Sequence, residues 1–319
     1  MAIAIISDIH SNIEALDAVL QDIESVSNRY DIHEIHCLGD IIGYGPKPIK
    51  CVDRIREVCS SVVMGSHEDA ICFIPDEVFN HKGMYNKVYA VPSFLWTRDK
   101  INFHQPELFE YLAKLPYNSL PETEGQKEIA EVHGTLCTDV NEIDIEMHAE
   151  KHPKTQPHGP MECSSMNLYS AYEEVDEETK KKFPEQKTTF KTDCLTRTFN
   201  SLISLDRKVC FIGHLHEPQA YYCAEQYDQI LLGFGVDKKQ PFSYEVPVEK
   251  DRKYVFNVGS VGQPRDGDQR ACYGIYDGNR MVFRRVPYNY VNAMISVLVM
   301  AGMDDEPMTR LSDRLARGQ

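Results

Sequence analysis

Five apolar runs in this chain each give way to an aspartate or a histidine. Ala2 to Ile6 leads into Asp8 and His10. Ile35 to Leu38, broken only by His36, leads into Gly39 and Asp40. Val62 to Met64 runs into Gly65, Ser66, His67 and Glu68, and Ile129 to Val132 into His133. The last, Val209 to Ile212, precedes Gly213, His214, Leu215 and His216. A lone histidine at the end of such a run is more often structural than functional, but five endings of this kind in one chain form a pattern. Together they offer mixed carboxylate and imidazole ligands suited to manganese, iron, nickel or zinc, and the lack of cysteine among them argues against a structural zinc site.

Short apolar runs bounded by turn signals read as buried strands, and ligands of open α/β sheets gather beyond the carboxyl ends of the strands. Residues scattered from position 8 to position 216 can therefore meet at one place. Between the runs, Ser11 to Ser25 keeps a helical apolar face, with Ser11 and Glu14 as a capping box. That helix starts directly after His10 and sets its positive end beside the proposed site. Ile49 to Val58 reads as a second crossover helix, so the β-α-β-α-β order up to Met64 implies a mainly parallel sheet. Glu68 to Leu115 reads as mostly helical and aromatic. Tyr117 to Leu120 and Lys127 to Val132 read as a strand pair, and Leu195 to Leu205 as a helix. Short strands follow at 219–224, 230–234, 254–258, 272–276 and 281–286, the last two joined by the hairpin turn Asp277-Gly278-Asn279. The chain is expected to form one domain over 1–319, with an irregular insertion at about 148–194 and a C-terminal helical segment at about 290–316.

Composition narrows the chemistry. With 319 residues and 42% hydrophobic content the chain can bury a large core. Its net charge of −15 argues against nonspecific grip on long nucleic acid, which needs many lysine and arginine contacts to phosphate. Metal ions can still reverse the field locally for an anionic substrate. Ten cysteines with no C-x-x-C pair, and an N-terminus that runs straight into a strand with no basic stretch, point to a reducing cytoplasm with no secretory signal expected. The apolar stretch Ala293 to Ala301 falls far short of the roughly 20 residues that span a bilayer, so no membrane association is expected. Nothing in the sequence sets the oligomeric state.

At the strand-end residues the chain resembles the calcineurin-like metallophosphoesterase superfamily. The nearest flavour is its compact bacterial and archaeal branch of phosphodiesterase and diadenosine-tetraphosphatase-like proteins. The blocks that carry the likeness are Asp8-Ile-His-Ser-Asn12, Gly39-Asp-Ile-Ile-Gly-Tyr-Gly-Pro46, Asn257-Val-Gly-Ser-Val-Gly-Gln-Pro-Arg-Asp-Gly-Asp268, and the C-terminal Ala301-Gly302 with Leu315-Ala-Arg-Gly318. Roughly residues 1 to 145 and 195 to 317 are covered. The resemblance implies a four-layer α/β/β/α sandwich with two mixed sheets and a dinuclear metal site at the strand ends. It also implies a metal-dependent phosphoester hydrolase, a phosphodiesterase or nucleotide phosphohydrolase, working by in-line attack of a metal-bridging hydroxide on a small phosphoester or nucleotide-like substrate. Two divalent ions are implied, manganese foremost, with iron, nickel or zinc as alternatives.

Carried over residue by residue, Asp8, His10, Asp40 and His216 would hold one ion. Asp40 would bridge to a second, held with Ser66, His133 and His214. His67 would act on the scissile phosphate, with Glu68 as its orienting partner. Asn12, Tyr44 and Arg265 would contact substrate, the arginine through a bidentate phosphate contact, and Asp266 lies in the same block. The chain departs from the family at Ser66, where an asparagine is usual; serine is the shorter and poorer neutral ligand. That departure motivates the alternative of a catalytically impaired metal- or nucleotide-binding scaffold.

Overall fold

All five residues of β1 (Ala2–Ile6) are buried, as expected of a strand covered on both faces. In the computed structural model, which describes residues 1–74, 90–136, 195, 197–224, 230–231, 243–300 and 304–319, β1 is central to a mixed sheet. It pairs in parallel with β2 (Ile32–Cys37), which pairs in parallel with the short β3 (Ser61–Val62). On its other side lies antiparallel β11 (Ala271–Tyr276), followed by β12 (Arg280–Val286) and the edge strand β9 (Ser243–Pro247). The second mixed sheet has the order β4 (Asn118–Ser119), β5 (Ile129–Val132), β6 (Val209–Ile212), β10 (Arg252–Asn257), β7 (Gln219–Ala224) and β8 (Ile230–Leu231).

Alternation along the strands builds the layers. Ile3 and Ile5 turn toward the other sheet and pack with Phe211, Tyr254 and Phe256, while Ala2, Ala4 and Ile6 turn outward. On that outer face lie α1 (Ile13–Tyr30), α2 (Pro48–Val58), α3 (Ser66–Phe73), α4 (Ala90–His104), α5 (Pro106–Leu112) and, from the C-terminal end, α7 (Tyr290–Leu298) and α8 (Asp305–Arg317). The outer face of the second sheet is covered by α6, helical over 197–204, through Phe199 and Leu202. The arrangement is the expected α/β/β/α sandwich with two mixed sheets.

Several expectations shift. The first helix is capped by Asn12, whose side chain accepts from the Ala15 amide at 3.1 Å, and not by Ser11. Ser11 is drawn into the left-handed bend that carries His10, with φ of 56°. Strand β9 has no counterpart in the sequence reading, because half-buried Ser243 and exposed Glu245 and Pro247 give it the weak pattern of an edge. The expected C-terminal helical segment at about 290–316 is two helices, α7 ending at Leu298 and α8 beginning at Asp305. The expected insertion at about 148–194 lies outside the described residues. Among the described residues no helix is long and apolar enough to cross a membrane.

Candidate metal centre

The loops that follow β1, β2 and β6 converge, and their backbones are bent hard to do so. Of the nine non-glycine residues with positive φ among the described residues, seven belong here: Asp8, His10, Ser11, Asp40, Tyr44, His214 and His216. Non-glycine side chains rarely adopt that region, and such strain concentrates where surrounding structure holds a functional geometry. The loop Asn257 to Gln263 supplies much of the hold. Ser260 Oγ donates to the Asp8 carbonyl at 2.8 Å, the Gly262 amide to the same carbonyl at 2.9 Å, and Asn257 Nδ2 to the Gly213 carbonyl at 2.6 Å. Gly65 is required by closeness: a Cβ there would lie 2.1 Å from the Asp40 nitrogen.

Two ligand sets result. Asp8, His10, Asp40 and His216 each offer an atom within 4.8 Å of the others, and Asp40, His133 and His214 form a second group on the same criterion. Asp40 belongs to both. His216 Nε2 lies 3.1 Å from Asp8 Oδ1 and 3.0 Å from His10 Nε2, and His133 Nε2 lies 3.1 Å from Asp40 Oδ2. Nitrogen and carboxylate oxygen turned inward in this way are the donor chemistry of a divalent transition metal. Two rings are oriented from behind, as ligating imidazoles commonly are: His133 Nδ1 pairs with the Leu38 carbonyl at 2.8 Å and His216 Nδ1 with the Gln263 carbonyl at 2.5 Å.

Electrostatics favours the ligand forms. Burial pushes the Asp40 carboxyl up, but the imidazoles of His133, His67 and His10 outweigh it and hold the group well below the usual carboxylate range. Burial, reinforced by neighbouring imidazoles, drives His10 well below its ordinary value and His214 down to about 3. Imidazole must be neutral to bind metal and carboxylate ionised, so these shifts match the donor set to a cation.

The remaining expected residues sit around this centre. Ser66 begins α3, and its hydroxyl lies 3.2 Å from both oxygens of Asp40. The His67 amide donates to Asp40 Oδ1 at 2.7 Å. The His67 ring is enclosed by Tyr44 at 4.4 Å, His10 at 4.4 Å and Phe94 at 4.7 Å between centroids, and burial takes its pKa down to about 4. Glu68 accepts hydrogen bonds from the backbone amides of Asp40, Ile41, Ile42 and Gly65. It therefore ties the two loops together, and it bears on His67 through the backbone and not by a hydrogen bond to the ring. Burial, with the Asp40 charge, raises its pKa to about 7 against the pull of the Ile42 and Gly65 amides.

Asn12 uses its amide on the Gly262 carbonyl at 2.8 Å as well as capping α1. Arg265 donates to Gln263 Oε1 at 3.0 Å, and its charge helps to depress His10, His67 and His216. Asp266 forms a buried ion pair with Arg285, away from the ligand sets. Ser93 and Phe94 had no sequence signal: Ser93 Oγ accepts from the Tyr44 amide at 2.7 Å, and Phe94 faces His67 from within an aromatic helix that reads as plain core. Asn257 and Ser260 stood inside a motif block, but their bracing of the Asp8 and Gly213 loops appears only in three dimensions.

Comparison with known proteins agrees with this geometry. The family model described as calcineurin-like phosphoesterase matches residues 1–218. An uncharacterized protein of Methanocaldococcus jannaschii is 32% identical over 276 residues, covering 86% of this chain and 82% of that one. A crystal structure of a metallophosphoesterase from Sphaerobacter thermophilus aligns over 100% of both chains with a TM-score of 0.60 at 26% identity. A hypothetical protein from Pyrococcus horikoshii shares the fold at a TM-score of 0.58 and 17% identity over 97% of each chain. With its matched sequence carrying both buried ligand sets, the chain belongs to the calcineurin-like phosphoesterase family and is a metal-dependent phosphoesterase.

Proposed function

We propose that the chain works as one metallophosphoesterase domain that hydrolyses a small phosphodiester or nucleotide-like ester with two divalent ions, manganese foremost. The observation that carries this reading is Asp40, the one residue shared by both buried ligand sets. Asp8, His10, Asp40 and His216 would hold one ion, and Asp40, His133 and His214 the other, with Ser66 beside the second set. Ions bound there would supply a nucleophilic water at neutral pH and neutralise charge on the phosphoryl oxygens.

The chain's own residues do the rest. Arg265 offers a fixed positive charge and the fork geometry that matches phosphate. His67, its ring held by Tyr44 and Phe94, stands beside Asp40 where charge on the phosphoryl group or leaving oxygen would develop. Glu68, Ser260 and Asn257 keep the loops in register, so little reorganisation is left for the reaction. A reducing cytoplasm suits the seven described cysteines, all of which are free thiols.

The test is turnover of bis(p-nitrophenyl) phosphate with and without added manganese, followed by a panel of nucleotides and monoesters. Turnover that rises with manganese supports the reading. Bound manganese with no turnover of any ester would instead favour the noncatalytic scaffold.

A further inference from the structure

His67 lies in the first turn of α3, and its amide donates to Asp40 Oδ1 at 2.7 Å. The backbone thus ties the residue to the shared ligand, while the ring belongs to neither ligand set. Three other rings stand at steep angles around it, Tyr44 at 72°, Phe94 at 83° and His10 at 61°. They leave the two ring nitrogens in different situations. Nδ1 is buried with no hydrogen-bond partner among the described residues, and of the two nitrogens only Nδ1 is sealed in this way.

Gly43 accounts for the missing partner. This residue, with φ of 84°, lies directly against the ring: a Cβ built on it would sit 2.1 Å from Nδ1 and 3.0 Å from Cε1. No side chain fits at that position, so none can offer the imidazole an acceptor from there. The glycine hydrogen that takes the place of the Cβ points at Nδ1. A C–H facing a lone pair is a weakly favourable contact, whereas a C–H facing an N–H sets two hydrogens head to head.

The position of the ring proton follows. A neutral imidazole carries one N–H and one lone pair, and the cation carries two N–H groups. A proton on Nδ1, in the cation or in the tautomer that has it there, would be a buried donor without an acceptor, which folded proteins avoid more strictly than a buried lone pair. The form that remains is the neutral ring with its proton on Nε2.

We propose that His67 serves as a neutral donor, its Nε2–H bonding to an anionic oxygen of the phosphoryl group, and not as an acid that gives its proton to the leaving group. The role rests on the hydrolase reading; the tautomer does not. In the step itself a hydroxide oxygen bonds to phosphorus and the ester P–O bond breaks. The leaving oxygen takes the electron pair and departs as an anion that solvent protonates, and His67 keeps its proton throughout. A fixed donor of this kind stabilises charge where it develops. It suits substrates whose leaving oxygen is already a stable anion, such as a phenolate or a phosphate.

Zinc in place of manganese keeps the protein diamagnetic. In zinc-loaded protein with ¹⁵N-labelled histidine, long-range proton–nitrogen correlation at neutral pH should show Nδ1 of His67 unprotonated and Nε2 protonated, the signals being identified by their loss in His67→Gln. Methylphosphonate should move the Nε2 signal and leave Nδ1 unprotonated. A proton on Nδ1, alone or together with one on Nε2, would overturn the proposal. Turnover of substituted-phenyl methyl phosphates reads the role. Removing a donor costs every member of the series one common factor, whereas removing an acid costs more as the leaving phenol becomes less acidic. His67→Ala should therefore lower kcat/KM by the same factor throughout, and His67→Gln, which keeps a neutral amide donor, should recover part of it. A loss in His67→Ala that grows about tenfold or more from nitrophenol to unsubstituted phenol would assign proton transfer to His67 and overturn the proposal. A protein that turns over no ester yet shows the Nε2 proton and the methylphosphonate response would lose the hydrolase reading and keep the donor.

Discussion

Asp40 accepts from the His67 amide, meets the Ser66 hydroxyl and faces His133 Nε2, all while fully buried. Removing its charge should therefore strip both ions at once: Asp40→Asn is expected to lose metal and activity together, read by elemental analysis, and two ions per chain with wild-type turnover would sink the shared-ligand assignment. His67 should behave in the opposite way. Its ring is held by neighbours and it belongs to neither ligand set, so His67→Ala should keep its metal and lose about 10² to 10⁴-fold in rate, the range for an acid or a charge-stabilising group; loss of metal would make it a ligand. Ser66 is the test of the family departure. Its hydroxyl rests on Asp40, and an asparagine carbonyl would reach further. Ser66→Asn should therefore lower the manganese concentration for half-maximal activity while changing the saturated rate less. An unchanged or higher half-saturating concentration would show that serine does not weaken the second set.

The elements matter mainly through their ends, and that is why so much of the site was legible in the sequence. Each apolar run stops where a chemical residue begins, so Asp8, Asp40, His133 and the Gly213 to His216 turn could be placed without coordinates. The sequence did not reveal what crosses between elements. Phe94 reaches His67 from α4, Glu68 gathers amides from a different loop, and the edge strand β9 has too little burial to show a pattern. One crossing contact joins the sheets themselves. His36 of β2 pairs through Nδ1 with Glu131 of β5 and through Nε2 with Glu34 at 3.1 Å, and Ser61 Oγ donates to Glu131 at 2.8 Å. Burial opposes the charge on His36, but Glu131 and then Glu34 prevail and raise its pKa above the usual 6.5. A raised histidine pKa stabilises the fold fully below the unfolded value, and the contribution fades as pH climbs through the folded one. The stability gap between wild type and His36→Gln should accordingly be widest near pH 6 and shrink toward pH 9, as followed by denaturant midpoints at about those values. A gap independent of pH would remove the charged pair from the account.

At the scale of the whole molecule, two sheets, their helices and seven residues with strained backbones are arranged around a site that concentrates two buried carboxylates, Asp8 and Asp40. Each left-handed non-glycine residue costs of order 1 kcal/mol or more. The metal-free fold bears these costs with only its loop bracing, the amides on Glu68 and the contacts from Ser260 and Asn257, to offset them. A cation that binds the native state and not the unfolded chain adds its binding free energy to stability, about 2.7 kcal/mol at a hundredfold excess over its dissociation constant. Stripping the protein with a chelator should therefore lower its Tm by several degrees, and manganese should restore it in a concentration-dependent way. The same titration on Asp40→Asn separates site binding from general ion effects. That variant has lost the shared ligand, so its Tm should respond little to manganese. It should start no more stable than the stripped wild type, because the imidazoles and the His67 amide favour the Asp40 charge in the metal-free fold. Equal manganese-induced shifts in the two proteins would mean that the stabilising ions bind elsewhere, and the buried centre would then have to be held together by its loops alone.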